Sequence, residues 1–309
     1  MDRIIAGIVL FKPEKERLKN CIEAIIRLEL NIIVFDNVGD SKELVSEYGE
    51  RIIYLTKNKN LGIAYALNRI MEKAERMGYE WVITMDQDTI IAGNMLSEYK
   101  KCISLYDNVA IVCPQVIDRR RVYMSLSNEN KVFVETNYCI TSASCTNIAI
   151  WRELGCFDEW LFIDFVDGDF CKRININGFK ILRCNNVVID QEFGNIKLKK
   201  QWKVDFYMWL SRITRNKNVA KLTYKKNVSP LRVYYVHRNL LYLNKKYENF
   251  GGIGYRNFNC NSFVGFLVYF TLPSFVRSTK KIEVAKAIIK GFRDGCKGSK
   301  MIDSYIAIH

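Results

Sequence analysis

The chain has 309 residues, of which 49% are hydrophobic and 26% are charged, and it contains only four prolines. This composition excludes a disordered chain and argues against long linkers, and the length suffices for one large domain with an extension. The net charge is +14, but residues 197–309 hold 23 Lys and Arg against 5 Asp and Glu, whereas residues 1–196 are slightly acidic. The last third therefore predicts an anionic partner: membrane phospholipid, nucleic acid or a polyanionic substrate.

Cysteine and histidine usage limits the metal chemistry. Ten cysteines are scattered without a Cys-x-x-Cys pair, and the two histidines are His237 and His309. This pattern favours buried thiols in a reducing cytosol over disulfides or a zinc site, so we expect any metal to have oxygen ligands. A strand-like run follows Met1-Asp2-Arg3 directly, and the most apolar window, 263–275, is shorter than the roughly 20 residues that span a bilayer. We therefore expect no signal peptide and a cytoplasmic location.

Apolar strands and amphipathic helices alternate along the first half. The periodicity predicts strands over 4–11, 31–35, 51–55, 81–85 and 109–112, and helices over 14–28, 61–77 and 95–105. This order predicts an α/β fold with a mostly parallel sheet and helices on both faces. The pattern becomes irregular near residue 116, and beyond 197 it is helical, aromatic and basic. We predict one domain over 1–196, in halves of about 1–115 and 116–196, and a C-terminal region over 197–309.

Asp86-Gln87-Asp88 stands at the end of the buried strand 81–85. Open α/β sheets bind ligands at the carboxyl ends of their strands. Two carboxylates one residue apart suit a hard divalent cation, which can in turn hold a diphosphate. The alternative is a pair of solvated aspartates in a turn.

A series of motifs resembles the inverting family 2 glycosyltransferases with a GT-A fold, most closely their bacterial rhamnosyltransferase-like branch. The resemblance extends over nearly the whole chain. Its motifs are VLFKP (9–13), VFDN (34–37), NKNLGIAYALN (58–68), MDQDT (85–89), FDE (157–159), FIDFVDGD (162–169) before Arg173, YYVHRN (234–239) and GFRDG (291–295).

The resemblance implies a GT-A sheet with a nucleotide-binding half and an acceptor half. It implies transfer of a sugar from a nucleotide sugar, with dTDP-L-rhamnose the first choice and a UDP-hexose the second. The acceptor would be a glycan or a polyprenyl-linked glycan of bacterial surface polysaccharide synthesis. The donor-binding residues that it implies are Leu10, Phe11, Asp36, Asn60, Gly62, Asn68, Asp86, Gln87 and Asp88.

The resemblance also implies Mn²⁺ or Mg²⁺ as the cofactor. Asp88 would be its main protein ligand, and Asp86 would contact the ribose or reach the metal through water. Asp36 would accept a hydrogen bond from a pyrimidine N–H, although Asp-Asn at a strand end is also good turn chemistry. Asn60 can cap the following helix, and Gly62 would let the backbone approach a ligand.

The second acidic cluster precedes Arg173. Inverting transfer needs a base that takes the proton of the acceptor hydroxyl. By resemblance that base is Asp167, with Asp169 and Arg173 in support, and Asp164 is the alternative base. The same acids can instead stabilise the amino end of a helix over 170–176.

Two positions depart from the family pattern. Gln191 stands where relatives usually carry a metal-binding His before a Gly; its amide oxygen can still bind a hard cation, or Asp190 or Glu192 can replace it. In the segment 141–144, Ala143 stands where relatives often carry Gly, which bears on donor-sugar contacts.

The C-terminal region mixes aromatic and basic side chains. That mixture suits a cytoplasmic membrane surface, although ordinary helix packing accounts for it equally well. A protein that binds nucleic acid through this basic region is an alternative. It leaves unexplained the two acidic clusters, which would repel phosphates unless a metal were present, so we expect no nucleic-acid partner. A catalytically weak nucleotide-sugar-binding partner is a second rival. A nucleotidyltransferase is a third, but residues 10–15 lack its Gly-rich phosphate loop. The polar tail beyond Gly295 can either help the chain to dimerise or fray.

Overall fold

A computed structural model of the chain describes residues 3–127, 129–192, 194 and 196–306. Met1 and Asp2, on which the signal-peptide expectation depends in part, lie outside the described residues, as do Phe193 and the end of the tail, 307–309. The chain divides into two compact units. The first comprises Met1–Ile117 with Ser125–Gln191, and the second comprises Asp118–Met124 with Glu192–His309.

The first unit is built on an eight-stranded sheet. Its elements, in chain order, are β1 (Ile4–Leu10), α1 (Lys15–Ile26), β2 (Ile32–Asp36), α2 (Lys42–Ser46), β3 (Ile52–Thr56), α3 (Ile63–Arg76), β4 (Trp81–Asp86), α4 (Met95–Leu105), β5 (Val109–Ile117), β6 (Phe133–Glu135), β7 (Ser144–Asn147), α5 (Ile148–Glu153), α6 (Val166–Ile176) and β8 (Lys180–Asp190). The strand order is β3-β2-β1-β4-β7-β5-β8-β6.

The pairing confirms the predicted mostly parallel sheet. Strands β3, β2, β1 and β4 pair in parallel, and so do β5 and β8. The antiparallel pairs are β4–β7, β5–β7 and β6–β8. Each predicted strand and helix is present, and β5 extends five residues past its predicted end at Val112 because Cys113, Pro114 and Gln115 continue the pairing with β8.

Helices cover the sheet because its strands carry apolar side chains on both faces. Alternate residues of β1, Ile4, Ala6 and Ile8, belong to one core cluster with the buried sides of α1 and α4. Helix α3 packs against β1, β2 and β4. Gly7 makes this possible, because a Cβ at that position would lie 2.4 Å from Cγ2 of Ile70.

The register places the ends of the central strands at one edge. Leu10 pairs with Asp36, Val9 pairs with Asp86, and Asp36 pairs with Thr56. Because these strands are parallel, their carboxyl ends form a single rim. The last residues of β1, β2 and β4 and the loops that follow them therefore lie at this rim. They carry six of the nine predicted donor-binding residues, which are Leu10, Phe11, Asp36, Asp86, Gln87 and Asp88.

The second unit is mainly helical. Its elements are β9 (Ile196–Leu198), α7 (Gln201–Thr214), α8 (Lys217–Ala220), β10 (Tyr224–Lys226), α9 (Pro230–Lys246), α10 (Phe263–Phe266), a π-helical turn (Leu267–Thr271), α11 (Leu272–Arg277) and α12 (Lys281–Ile306). Strands β9 and β10 form an antiparallel pair. Within the described residues, no helix has both the length and the apolar character needed to cross a bilayer.

Helices α9 and α12 pack closely because α12 carries two glycines one turn apart. A Cβ on Gly291 would lie 2.7 Å from the carbonyl oxygen of Tyr234, and a Cβ on Gly295 would lie 2.8 Å from that of Arg238. The paired positions advance together along both helices, so the helices run parallel. This packing gives the GFRDG and YYVHRN motifs a structural role in the second unit.

Candidate active site

Asp86 and Asp88 lie where the sequence predicts, at and just beyond the carboxyl end of β4. Both residues are exposed to solvent. A carboxylate oxygen of Asp86 accepts a hydrogen bond from Nε2 of Gln191 at 3.0 Å, and a carboxylate oxygen of Asp88 lies 3.7 Å from a guanidinium nitrogen of Arg17. The pair is therefore accessible, and each acid has a neighbour that fixes its position or balances its charge.

Gln191 is buried, and both the nitrogen and the oxygen of its amide form hydrogen bonds. While its nitrogen donates to Asp86, its oxygen accepts hydrogen bonds from the hydroxyl of Thr89 at 2.5 Å and from that of Ser142 at 3.3 Å. In this arrangement the amide nitrogen of Gln191 orients Asp86, while its oxygen is directed to Thr89 and Ser142. Metal binding by Gln191 stays a prediction. Of the two alternatives, Glu192 pairs with Arg120 in the second unit.

The carboxylate oxygens of Asp86 and Asp88 suit a divalent cation that also has ligands outside the protein. Among the described residues, no three His, Cys, Asp or Glu side chains form a group that could hold a metal by themselves. Mg²⁺ keeps several waters and is usually bound by one or two carboxylates together with substrate phosphates. The two exposed carboxylates match a cation that binds jointly with a diphosphate, and they do not match a resident structural metal.

Asp36 is buried, and its carboxylate is satisfied within the protein. It accepts hydrogen bonds from the backbone N–H groups of Val38 and Ser41 and from the hydroxyl of Tyr54, each at 2.8 Å. Burial acts to raise its pKa, but the hydrogen bonds to the charged form outweigh burial and hold the pKa below its ordinary value. The turn-cap interpretation therefore describes the observed geometry, and nucleotide binding by Asp36 stays a prediction.

Gln87 joins the end of β1 to the end of β4. Its side-chain oxygen accepts the backbone N–H of Phe11 at 2.8 Å, and its nitrogen donates to the carbonyl of Phe11 at 3.3 Å. Leu10, one residue earlier, is buried, whereas Phe11 is exposed at the rim. Of these three predicted donor-binding residues, Phe11 thus presents a side chain to solvent and Gln87 positions the backbone that carries it.

Gly62 lies against the loop that precedes α6. Its φ is +94°, and a Cβ would lie 2.6 Å from the carbonyl oxygen of Phe162, which also accepts the N–H of Ile63 at 2.7 Å. The close backbone approach expected of Gly62 is therefore made to Phe162 of the same chain. Asn60 accepts the N–H of Gly62 at 3.1 Å and does not cap α3, because the helix begins three residues later at Ile63.

Asn68 is also used by this loop. It is buried, its amide nitrogen donates to the carbonyl of Phe157 at 2.9 Å and to Glu159 at 2.8 Å, and its oxygen accepts the N–H of Phe157 at 2.9 Å. Its amide therefore holds the loop to α3. Binding of the sugar donor by Asn68 stays a prediction.

The second acidic cluster occupies the first turn of α6. The helix begins at Val166, four residues earlier than predicted, so Asp167 and Asp169 lie inside its first turn. Asp169 is buried and forms an ion pair of 2.6 Å with Arg173 one turn later, which makes it structural support. Asp164 and Phe165 precede the helix with φ of +66° and +68°, conformations that non-glycine residues seldom adopt.

Asp167 differs from Asp169 in its partners: Asp169 pairs with the guanidinium of Arg173, whereas Asp167 lies beside the phenol of Tyr138. The hydroxyl of Tyr138 donates to the Asp167 carboxylate at 2.9 Å, and the N–H of Gly168 donates at 2.8 Å. Burial raises the pKa of Asp167 above its ordinary value, although these two hydrogen bonds act against the shift. A raised pKa brings a carboxylate closer to that of an effective general base near neutral pH.

One short segment contacts both acidic clusters. Tyr138 donates to Asp167, and the hydroxyl of Ser142 accepts the backbone N–H of Asp86 at 3.4 Å. Four residues of extended chain span at most about 14 Å, so this segment limits the separation of the two clusters. Sequence reasoning missed Tyr138, Ser142, Thr89 and Arg17, because their partners lie far away in the sequence.

Ala143 lies within this same segment. It is buried with φ of +58°, a backbone conformation that favours glycine. The structure thus explains in physical terms why a glycine would suit this position. The departure at Ala143 therefore affects the backbone of the segment as well as any donor contact.

Comparisons with known proteins find similarity to glycosyltransferases. Residues 8–154 match the family model "Glycosyl transferase family 2". The dTDP-rhamnosyl transferase RfbF of Shigella flexneri is 28% identical over 191 residues, which cover 56% of this chain and 63% of that protein. The matched region therefore spans less than two thirds of that relative's length. The family model matches no residue beyond 154, so the second acidic cluster and Gln191 lie outside the part of the chain that it matches.

Solved structures show the fold. The mannosyltransferase PcManGT from Pyrobaculum calidifontis in complex with GDP-Man and Mn²⁺ aligns with a TM-score of 0.53 and 15% identity over 99% of this chain and 80% of that chain. GalNAc-T7 with UDP, GalNAc and Mn²⁺ aligns with a TM-score of 0.53 and 12% identity, over 88% of this chain and 57% of that chain. The 1–349 fragment of S. aureus TarS with UDP-GlcNAc aligns with a TM-score of 0.51 and 12% identity, over 98% of this chain and 92% of that chain. Residues 8–154 therefore match a family 2 glycosyltransferase model, and the fold of the chain resembles that of these solved GT-A glycosyltransferases.

Proposed function

We propose that this protein transfers a sugar from a nucleotide sugar to a hydroxyl of a glycan or polyprenyl-linked glycan, with inversion, during assembly of a bacterial surface polysaccharide. The observation that carries the proposal is the accessible pair Asp86 and Asp88 at the carboxyl rim of a family 2 glycosyltransferase sheet. We infer dTDP-L-rhamnose as the first donor, because the 28% identical relative is a dTDP-rhamnosyl transferase. A UDP-hexose is the second.

The donor diphosphate would bind at the rim. Asp88 would be the main protein ligand of Mn²⁺ or Mg²⁺, and Asp86, oriented by Gln191, would contact the ribose or the metal's water. When bound there, such a cation supplies Lewis-acid neutralisation of the departing nucleoside diphosphate. The exposed ring of Phe11 would lie beside the nucleotide, and Gln87 would hold the backbone of Phe11 in place.

Asp167 would act as the base. It would take the proton from the acceptor hydroxyl as that oxygen attacks the anomeric carbon opposite the leaving diphosphate. One bond forms between the acceptor oxygen and the anomeric carbon while the bond from that carbon to the diphosphate breaks, so the configuration inverts without a covalent intermediate. Asp169 and Arg173 would keep the first turn of α6 in place through their ion pair.

Calorimetry tests the proposal directly. Titrations of dTDP-L-rhamnose, UDP-glucose and UDP-galactose, each with and without Mn²⁺, are compared for the wild type, Asp88→Ala and the control Asp107→Ala. Asp107 is an exposed acid in the turn before β5, at the opposite end of the strands from the rim. We expect one donor to bind in a Mn²⁺-dependent manner, with affinity lost in Asp88→Ala and kept in Asp107→Ala. Absence of binding for every donor, or equal binding by Asp88→Ala, would refute the assignment.

A second candidate function is nucleotide-sugar binding without efficient turnover. The observation that favours it is Gln191, a neutral side chain that holds Asp86 and turns its oxygen away from it. Donor hydrolysis, measured as release of free nucleoside diphosphate, separates the two functions. Turnover that is lost in Asp167→Asn, with donor affinity kept, supports the transferase; donor binding without any turnover in the presence of acceptor supports the alternative.

We place the protein at the inner face of the cell membrane, where a polyprenyl-linked acceptor would be presented. Support comes from the basic last third of the chain. Its charge favours an anionic surface, and the cytoplasmic leaflet carries anionic lipids.

A further inference from the structure

Helix α7 of the second unit carries a stripe of large apolar side chains that face solvent. Trp202, Phe206, Trp209 and Ile213 recur at intervals of four, three and four residues, which places them on one face of the helix. Each is 50–66% exposed. Val204, the buried residue of α7, lies on the opposite face. The helix therefore contacts the rest of its unit through one side and presents the aromatic side to solvent.

A second helical run has the same property. From α10 through the π-helical turn to α11, Val264, Val268, Leu272 and Val276 recur every four residues and are 49–69% exposed. No charged residue occurs between 262 and 276. We call these four side chains and the four of α7 the apolar platform.

The two parts of the apolar platform belong to neighbouring helices. Asn216, just after α7, donates a hydrogen bond to the hydroxyl of Tyr269 at 3.4 Å. The α7 stripe alone exposes on the order of 500 Å² of apolar surface, which is at the upper end of what a monomeric protein leaves uncovered. A surface of this kind indicates a partner.

The basic residues around α7 indicate that the partner of the apolar platform is negatively charged. Lys200 and Lys203 lie at the start of α7, and Arg212 and Arg215 lie at its end. The ammonium of Lys203 lies 5.0 Å from the ring centroid of Trp202, so its stem can follow the ring while its charge reaches outward. Asp205 is the one acidic residue between 197 and 247. A second copy of this chain would bring the same positive charge to the interface, which opposes self-association.

We propose that the apolar platform binds the surface of an anionic phospholipid bilayer. Amphipathic helices with Trp and Phe on one side and Lys and Arg around them lie in the plane of a membrane, with their apolar side chains at the boundary between headgroups and acyl chains. The tryptophans suit that boundary because their rings combine an apolar body with a polar N–H. The basic residues around α7 meet the lipid phosphates. The proposal depends on the second unit and requires no bound donor.

Vesicle binding tests the proposal. Full-length protein is sedimented with vesicles of phosphatidylglycerol and phosphatidylcholine, and with vesicles of phosphatidylcholine alone, at low and high salt. The double variant W202Q/W209Q is compared with F250Q, because Phe250 is a similarly exposed aromatic residue outside the platform. We expect salt-sensitive binding to the anionic vesicles, a loss of at least about tenfold in W202Q/W209Q and no loss in F250Q. Brominated lipid should quench tryptophan fluorescence in the wild type and less in the double variant.

Three results would overturn the proposal. They are absence of binding to anionic vesicles, equal binding to neutral vesicles, and a double variant that binds as the wild type does. Analytical ultracentrifugation tests whether a second copy of the chain occupies the platform instead. If the wild type formed a dimer and did not bind vesicles, and the double variant were monomeric, the platform would be assigned to a second copy of the chain. Calorimetric donor binding in W202Q/W209Q shows whether the first unit is intact, so failure here leaves the transferase proposal to be judged separately.

Discussion

Gly62 provides the most direct test of how the site is assembled. Its backbone has φ of +94° and ψ of 174°, and an added Cβ would lie 2.6 Å from the carbonyl oxygen of Phe162 and 2.8 Å from its ring. The backbone region is one that only glycine adopts readily, which makes an alanine there unfavourable by about 1–3 kcal/mol. Overpacking against Phe162 adds about 1–3 kcal/mol. We therefore expect Gly62→Ala to lower the free energy of unfolding by roughly 2–6 kcal/mol.

Gly178→Ala is the matched control. Gly178 also has positive φ, +76°, and also belongs to the first unit, but a Cβ there meets nothing within 4 Å. The free energy of unfolding of Gly178→Ala should fall only by the cost of the backbone conformation, roughly 1–2 kcal/mol. Urea unfolding followed by circular dichroism and tryptophan fluorescence gives both values. Equal losses in the two variants would refute the claim that contact with Phe162 fixes this glycine.

The other predictions concern hydrogen bonds and burial. Tyr138→Phe removes a donor to the charged form of Asp167, so the pKa of Asp167 should rise and the acidic limb of the kcat/KM profile should move up by about one pH unit. Burial lowers the pKa of His237 from 6.5 to about 4, so the unfolded chain binds its proton first and stability should fall by about 3 kcal/mol as the pH drops from 6.5 to 4, as measured by urea unfolding. Gln191→Ala should weaken Mn²⁺-dependent donor binding about tenfold in calorimetry, because Asp86 loses its amide donor.

Each of these predictions has a control and a contrary outcome. Tyr106→Phe removes a hydroxyl far in sequence from Asp167. If the acidic limb of the kcat/KM profile shifted equally in Tyr106→Phe and Tyr138→Phe, the role of Tyr138 would be contradicted. His237→Leu lacks the titrating group, so its stability should depend less on pH in this window; an unchanged dependence would rule out His237 as the cause. Gln201→Ala removes an amide that pairs with Asp205 in the second unit, and donor affinity should not respond to it.

The sheet and its rim were predictable because their signals are local. Each strand of the first half is a short apolar run, and the acids Asp36, Asp86 and Asp88 follow such runs directly. Parallel pairing then brings the ends of those strands to one edge, as the registers of Leu10 with Asp36 and of Val9 with Asp86 show. Nothing beyond periodicity and strand polarity was needed for this part.

The supports of the site were not predictable from local pattern. Asn68 and Gly62 hold a loop about 90–100 residues away in the sequence, and Gln191 reaches Asp86 across 105 residues. The sequence also predicts the start of α6 four residues too late. Its first turn follows two residues with positive φ, Asp164 and Phe165, and the sequence carries no glycine or proline there to mark the boundary.

These observations separate two groups of residues that motif resemblance treats alike. Asn68 and Gln87 form hydrogen bonds to other parts of the chain, and Gly62 allows close contact with Phe162. In contrast, Asp86, Asp88 and Phe11 are exposed to solvent at the rim. A motif can persist in a family because it positions a loop as well as because it binds a ligand. Substitutions in the first group should therefore lower stability and catalysis together, while substitutions of the exposed residues should lower donor affinity with the free energy of unfolding unchanged. Comparing the urea midpoint with the calorimetric affinity for each variant distinguishes the two groups, and a stable Asn68→Ala protein with lost donor binding would return Asn68 to the binding site.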